Sequence, residues 1–261
     1  MDIVIPSMGR ADKQESLKHL VAAGLGPKIK LVVPDGETTH YVQHMHDGVE
    51  LWTTPPNIKG IADTRQWILD NIGTDDACIM VDDDLTFAKR RKDEPTKLED
   101  MTPAELQHAF FQLEDVLLTE CPHAGFACRE GANRVTDPRI YNTRILRVLG
   151  YNRHTLKINN IAFGRVQVME DFDVALRLLR TGLPNVVLNL IAHNQKGSGL
   201  AGGCSTYRTP QVQAQAAHAL AALHPGYVKV VQKSTKTAWG GGTRTDVNIQ
   251  WKKAHHDSLN F

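Results

Sequence analysis

The stretch ACIMVDDDLTF, residues 77–87, constrains the fold more than any other part of the chain. An unbroken apolar run, Cys78 to Val81, is followed directly by Asp82, Asp83 and Asp84. A strand with one wet face alternates polar and apolar positions, whereas an uninterrupted run suits a strand covered on both sides by helices. DIVI at the start, KIKLVVP and VELWTTP read as further strands, each closed by Pro or a polar loop. Between them ADKQESLKHLVAAG carries Leu17, Leu20 and Val21 at helical spacing, with Gly24 as a stop. GIADTRQWILDNIG puts Ile61, Ile68, Leu69 and Ile72 on one helical face and ends at Gly73. Strand alternating with helix predicts an α/β fold with a mostly parallel central sheet flanked by helices, and places the aspartates at the carboxyl end of a central strand.

Further along, Thr102-Pro103-Ala104-Glu105 is a capping box with Pro in the first helical position, ahead of the stripe Leu106, Phe110, Leu113 and Leu117. EDFDVALRLLRTG reads as a helix with acids at its start, arginines near its end and Gly182 beyond. NVVLNLIAHN is a strand, and Thr209-Pro210 opens an alanine-rich helix to about Leu223. The remainder, HPGYVKVVQKSTKTAWGGGTRTDVNIQWKK, alternates in strand-like fashion around a glycine run. The expected organisation is one compact domain over residues 1–225 with a C-terminal extension, 226–261, packed on it. Cys78, Cys121, Cys128 and Cys204 form no CxxC pair, which argues against a zinc knuckle or a disulfide framework and fits a reducing cytoplasm. With no signal-peptide pattern and no run of roughly 18 apolar residues, the expectation is a soluble protein that does not span a membrane.

Net charge is +1, so nothing global points to a polyanionic partner. Locally, Arg129, Arg134, Arg139, Arg144, Arg147, Arg153, Lys157 and Arg165 face only Glu130 and Asp137, and Lys89, Arg90, Arg91 and Lys92 follow the aspartates. A solvated basic face accounts for such runs as readily as a ligand does.

In open α/β sheets, ligands bind beyond the carboxyl ends of the strands. Crowded carboxylates hold raised pKa values unless a cation neutralises them, and hard oxygen donors suit Mg²⁺ or Mn²⁺ rather than zinc. Acids that merely cap a loop remain the alternative for this motif taken alone. The order IPSMGR, GIADTRQWILDNI, CIMVDDD and VMEDFDVALRLLRTG, from about Ile3 to Gly182, resembles the nucleotide-sugar glycosyltransferases of the GT-A fold, particularly the inverting family 2 type. The resemblance implies a nucleotide-sugar donor, a UDP-sugar foremost, and a Mn²⁺ or Mg²⁺ cofactor. It implies that Pro6, Ser7, Gly9 and Arg10 surround the nucleotide, that Asp63 and Arg65 touch it, and that Asp35 approaches the base unless it only makes the PDGE turn. Asp84 becomes the direct metal ligand, Asp82 a ribose or metal contact, and Asp83 the least determined of the donor-site acids. Asp171, with Glu170 close behind, becomes the base, and inverting and retaining chemistry both stay open. His193 becomes an additional ligand that favours Mn²⁺, and Lys196 a phosphate partner in a glycine-rich loop.

IPSMGRAD, the VVP strand end and the HN-containing segment are further similar to phage glycosyltransferases associated with TET-type oxygenases, which glycosylate hydroxymethylated pyrimidines. That similarity implies 5-hydroxymethylcytosine in double-stranded DNA as the acceptor. Lys229, Lys233, Lys236, Arg244, Lys252 and Lys253 would then meet phosphates, and Trp239 or Trp251 a flipped base. Alternatives are a glycan or small-molecule acceptor, a sugar nucleotidyltransferase, for whose glycine- and lysine-bearing loop IPSMGRADKQ is a poor version, and a non-catalytic binding module, which leaves the Glu170-Asp171 pair without a purpose.

Overall fold

The computed structural model describes residues 1–129, 136–195, 203–235 and 242–259. Strands β1 (Asp2–Pro6), β2 (Ile29–Pro34), β3 (Glu50–Thr54) and β4 (Ala77–Val81) lie parallel in the order β3-β2-β1-β4. Parallel neighbours need crossovers, and these are helix α1 (Glu15–Ala22), the short α2 (Thr38–Val42) and α3 (Gly60–Asn71). Every residue of β4 is buried, as its unbroken apolar run requires. Helix α1 stops where expected, with Gly24 at φ +74° and the Leu25 amide returning to the Leu20 carbonyl at 3.0 Å.

Past the aspartates the sheet changes direction. Strand β5 (Leu85–Arg90) turns back at once and pairs with β6 (Leu98–Asp100), then α4 (Pro103–Thr119) crosses the sheet. Strands β7 (His123–Cys128), β8 (Arg139–Tyr141) and β9 (Val148–Asn152) follow, then α5 (Arg153–Ile158), α6 (Glu170–Arg180) and β10 (Asn185–Gln195). Strand β9 sits between β4 and β7 and is antiparallel to both, whereas β10 runs parallel to β7 and antiparallel to β5 and β8. The spatial order is β3-β2-β1-β4-β9-β7-β10-β5-β6, with β8 beside β10.

Helices cover both faces. Leu17, Leu20, Leu106, Phe110 and Leu113 of α1 and α4 form one core with one side of the sheet. Ile68 of α3, Leu156 of α5 and Val174 and Leu178 of α6 form the other. The Thr102 capping box is fully made.

The second core also holds a buried histidine. His123 stacks on Tyr151 with centroids 4.5 Å apart, its Nδ1 meets the Gly150 carbonyl at 2.8 Å, and burial lowers its pKa to about 4. A histidine depressed in the folded state contributes its full stability above the unfolded pKa near 6.5 and loses it as pH falls toward 4. Denaturant titrations are therefore expected to show about 3 kcal/mol of stability lost across that window through this group. His123→Phe, which keeps the stack and removes the titration, should flatten that part of the profile. An unchanged profile would assign the acid sensitivity elsewhere.

After β10 the chain forms helix α7 (Pro210–Leu223), and the tail expected over 226–261 forms the hairpin of β11 (Val228–Thr235) and β12 (Gly242–Ile249), and helix α8 (Trp251–Ser258). The last helix is not apparent in the sequence, because WKKAHHDS carries few apolar residues. Trp251 packs edge-on against Phe172 of α6 at 5.6 Å. Among the described residues no helix is long and apolar enough to cross a membrane.

Candidate active site

The site grows from the turn that ends β4. The Asp82 amide donates to the Arg147 carbonyl at 2.9 Å, and Ser16 bridges the turn, its Oγ meeting the Asp82 carbonyl at 2.5 Å and the Leu85 amide at 2.9 Å. Both Arg147, φ +62°, and Met169, φ +65°, are left-handed without being glycine. Such backbone costs of order 1–3 kcal/mol and persists where the surroundings enforce it, and here it sets Asp82 on one side and Glu170 on the other.

The three aspartates have unequal surroundings. Asp83 is 5% exposed and anchors the first loop: Ser7 Oγ lies 2.5 Å from its Oδ2, and Arg10 Nη1 donates to its Oδ1 at 2.7 Å. Ser7 in turn meets Tyr41 Oη at 2.9 Å and receives Gln14 Nε2 at 2.7 Å. Ser7 and Asp83 thus hold the loop's shape from within. Gly9 is exposed at φ +66°, a conformation glycine adopts without steric cost, and its amide donates to Glu37 Oε2 at 2.7 Å. Pro6 is half-buried at the end of β1. Asp35 is exposed in the PDGE turn, closed by the Glu37 amide on the Pro34 carbonyl at 3.1 Å. The acid that reaches the first loop from β2 is therefore Glu37.

Asp84 is 7% exposed. Its Oδ2 accepts from Arg10 Nη1 at 2.9 Å and from Gln195 Nε2 at 2.8 Å, while its buried Oδ1 accepts no hydrogen bond. Burial pushes Asp82 up to about 6 against the attraction of Arg65, whose Nη2 lies 3.5 Å from Asp82 Oδ1, with Asp84 and Asp83 adding to the rise. Burial also raises Asp83, although Ser7 and Arg10 oppose it.

Helix α3 brings Arg65 inward and leaves Asp63, two residues away, exposed on another face. Arg65 Nη1 donates to the Glu170 carboxylate, and both side chains are buried. Glu170 is held above the ordinary carboxylate range by burial, with Arg65 opposing and Asp171 reinforcing the rise. Asp171, next along α6, is half-buried. Breaking a buried ion pair by removing one partner typically costs about 3–5 kcal/mol. Arg65→Met is expected to lower urea stability by that order, and Arg65→Met with Glu170→Gln to recover much of it. Equal losses in the single and double variants would show that the charge left on Glu170 is not the cause.

His193 is fully buried in β10, registered with Cys128 and Phe87, its Nε2 3.5 Å from Cys128 Sγ. The residue of β10 that the structure brings to Asp84 is Gln195, two positions on. Lys196 lies outside the described residues, as do Arg134, Lys236 and Trp239. After that segment the chain returns over the site: the Gly203 amide meets the Met8 carbonyl at 2.8 Å, and Tyr207 Oη accepts from the Ile61 amide at 2.9 Å and donates to Cys204 Sγ at 3.1 Å. The sequence carries no pattern that singles out Gln14, Glu37, Tyr41, Gln195 or Tyr207. Extending the β10 strand by one residue beyond the HN pair would have brought Gln195 into view.

Much of the basic composition is spent within the chain. Arg90 is buried and donates to the Asn189 and Pro95 carbonyls, Lys89 pairs with Glu99 and Glu105, and Arg91 with Asp93. Arg139 pairs with Glu120, Arg153 with Asp2 and Arg165 with Asp173. Lys233 and Arg244 share Asp246. A cavity of about 460 Å³ is lined among others by Thr86, Ala88, Asp100, Arg129, Ala192 and Asn194, and Asp84 is not part of its lining.

Among the described residues no three His, Cys, Asp or Glu side chains converge as a ready metal cage. The bare Asp84 Oδ1 nevertheless fits a hard cation of the kind held by one or two carboxylates and completed by substrate phosphates and water.

The fold is similar to that of a mannosyltransferase from Pyrobaculum calidifontis in complex with GDP-Man and Mn²⁺, with a TM-score of 0.57 at 13% identity over 85% of this chain and 62% of that one. This chain therefore spans less than two thirds of the mannosyltransferase's length. Glucosyl-3-phosphoglycerate synthase from Mycobacterium tuberculosis aligns over 96% of this chain and 89% of its own, with a TM-score of 0.48 at 12% identity. No curated protein matches the chain significantly. The sheet order, with carboxylates at the end of β4 and the start of α6, defines a GT-A glycosyltransferase fold. The chain belongs to the TET-associated glycosyltransferase family, whose model matches residues 1–203.

Proposed function

We propose that this chain moves a sugar from a nucleoside-diphosphate sugar, a UDP-sugar foremost, to a hydroxyl acceptor, with Mn²⁺ or Mg²⁺ held by Asp84 and Asp82. The observation that carries the reading is the buried Asp84 Oδ1 without a hydrogen bond, set on a strand end where a diphosphate would lie. The cation supplies charge neutralisation for the departing nucleoside diphosphate. The first loop, shaped by Ser7 and Asp83, receives the nucleotide along Pro6 and Gly9, and Arg65 closes its far side. Asp171 takes the proton of the attacking hydroxyl, since Glu170 is occupied by Arg65 and serves to position the start of α6.

The acceptor we infer is a hydroxymethylated pyrimidine, 5-hydroxymethylcytosine, in double-stranded DNA. Support comes from the family and from cations that face solvent, Arg129, Lys229 and Lys252 among them. A glycan or small-molecule acceptor is the second reading, favoured by the internal pairing of Arg139, Arg153 and Arg165. The test incubates the protein with a panel of nucleotide sugars and either hydroxymethylated or plain DNA, digests the DNA and weighs the nucleosides. A hexose or pentose mass on hydroxymethylated DNA alone is expected. Sugar transfer confined to glycans or small molecules would move the acceptor, and no turnover of any nucleotide sugar would overturn the activity.

A further inference from the structure

Arg10 turns inward from the first loop. Its Nη1 donates to Asp83 Oδ1 at 2.7 Å and to Asp84 Oδ2 at 2.9 Å, and its side chain is only 12% exposed. Burial works against its charge, but Asp83 and Asp84 together outweigh that and raise its pKa. A guanidinium so placed already supplies positive charge to the two carboxylates. Asp84 Oδ2 is filled by Arg10 and Gln195 together, whereas Oδ1 is bare. A divalent cation approaching Oδ1 therefore meets a fixed positive charge on the other oxygen of the same carboxylate, and in a partly buried site that repulsion is weakly screened.

We propose that Arg10 is the resident counter-cation of the Asp83–Asp84 pair and that it gives way to a divalent cation only when a nucleoside diphosphate arrives to receive its guanidinium. The proposal rests on the metal-assisted diphosphate reading of the same site. The guanidinium is suited to the exchange, because its planar fork pairs with carboxylate and phosphate in the same bidentate manner. Its backbone need not move: the Arg10 amide is held by Tyr41 Oη at 3.1 Å and its carbonyl by Gln14 Nε2 at 2.7 Å. The exchange is thus a side-chain rotation about an anchored Cα. By linkage the coupling is reciprocal, so nucleotide tightens the cation by the factor with which the cation tightens nucleotide. Without donor, the site stays closed to ambient divalent ions.

The experiment titrates Mn²⁺ into the full chain and follows the free-ion signal by electron paramagnetic resonance, with and without UDP, or GDP if UDP does not bind. Wild type, Arg10→Gln, Arg10→Lys and Asp84→Asn are compared. Arg10→Gln, which keeps a hydrogen-bond donor and loses the charge, is expected to bind Mn²⁺ alone about tenfold tighter than wild type or more, and to lose most of the enhancement by nucleotide. Arg10→Lys, which keeps a charge, is expected to retain the weak affinity for Mn²⁺ alone. Equal nucleotide-free affinity in wild type and Arg10→Gln overturns the proposal, as does tight binding by Arg10→Lys. Thermal melts of each variant show that the folded protein is being compared. If wild type binds Mn²⁺ with nucleotide, and Asp84→Asn abolishes this, the metal site stands whatever Arg10 does. If Asp84→Asn changes nothing, the site reading itself fails.

Discussion

Asp84→Asn is expected to remove the metal-dependent part of nucleoside-diphosphate binding and to lower turnover by about 10²–10³-fold, the value of several kcal/mol of charge stabilisation on a leaving group. The substitution preserves shape, and with its one acceptor oxygen in the place of Oδ2 both Arg10 and Gln195 keep their partner. What it deletes is the charge behind the bare Oδ1. Calorimetric titration of UDP with and without Mn²⁺ separates the two components. A metal-dependent increment that survives in Asp84→Asn would place the cation elsewhere.

Asp171→Asn should leave donor affinity within about twofold and cut transfer by 10²–10⁴-fold, the usual worth of a positioned general base. The carboxylate is half-buried beside Glu170, whose own charge is engaged by Arg65. Glu170→Gln is the informative companion: it disturbs the start of α6 and leaves Arg65 without its buried partner, so it should lower stability as well as rate. Single-turnover transfer with pre-bound donor distinguishes them. Full transfer by Asp171→Asn would hand the base role to another group.

The parallel half of the sheet was readable because buried strands and amphipathic helices leave periodic apolar patterns, and the aspartates follow from a strand end, whereas Arg10, Arg65 and Glu170 came into view only through the resemblance to the GT-A glycosyltransferases. The rest was hidden for identifiable reasons. Strand β5 carries LTFAKR, whose two cations obscure its alternation, yet Leu85 and Phe87 face one core. Strand β9 is short, and its Gly150 has room for no side chain: a Cβ there would stand 2.7 Å from Leu117 and 2.9 Å from the Ala124 carbonyl. Charge counts could not show that Arg90 would be buried among carbonyls, or that Lys233 and Arg244 would share one acid. Gln195 and Glu37 are common polar residues with no motif, and only the register of β10 and the turn after β2 gives them partners.

Helix α6 is clasped from behind by the end of the chain. Trp251 leans on Phe172, the fully buried His224 meets Asp173 at 2.7 Å, and Ser258 Oγ reaches the Leu179 carbonyl at 3.1 Å. Asp171, proposed to collect the acceptor's proton, therefore rides on an element braced by the tail. On the proposed reading, donor recognition and proton collection depend on different stretches of sequence, the second partly on residues beyond 203, where the family match ends. Substitutions far from any reacting atom, on the hairpin or the last helix, thus have a mechanical route to the rate that bypasses the nucleotide altogether.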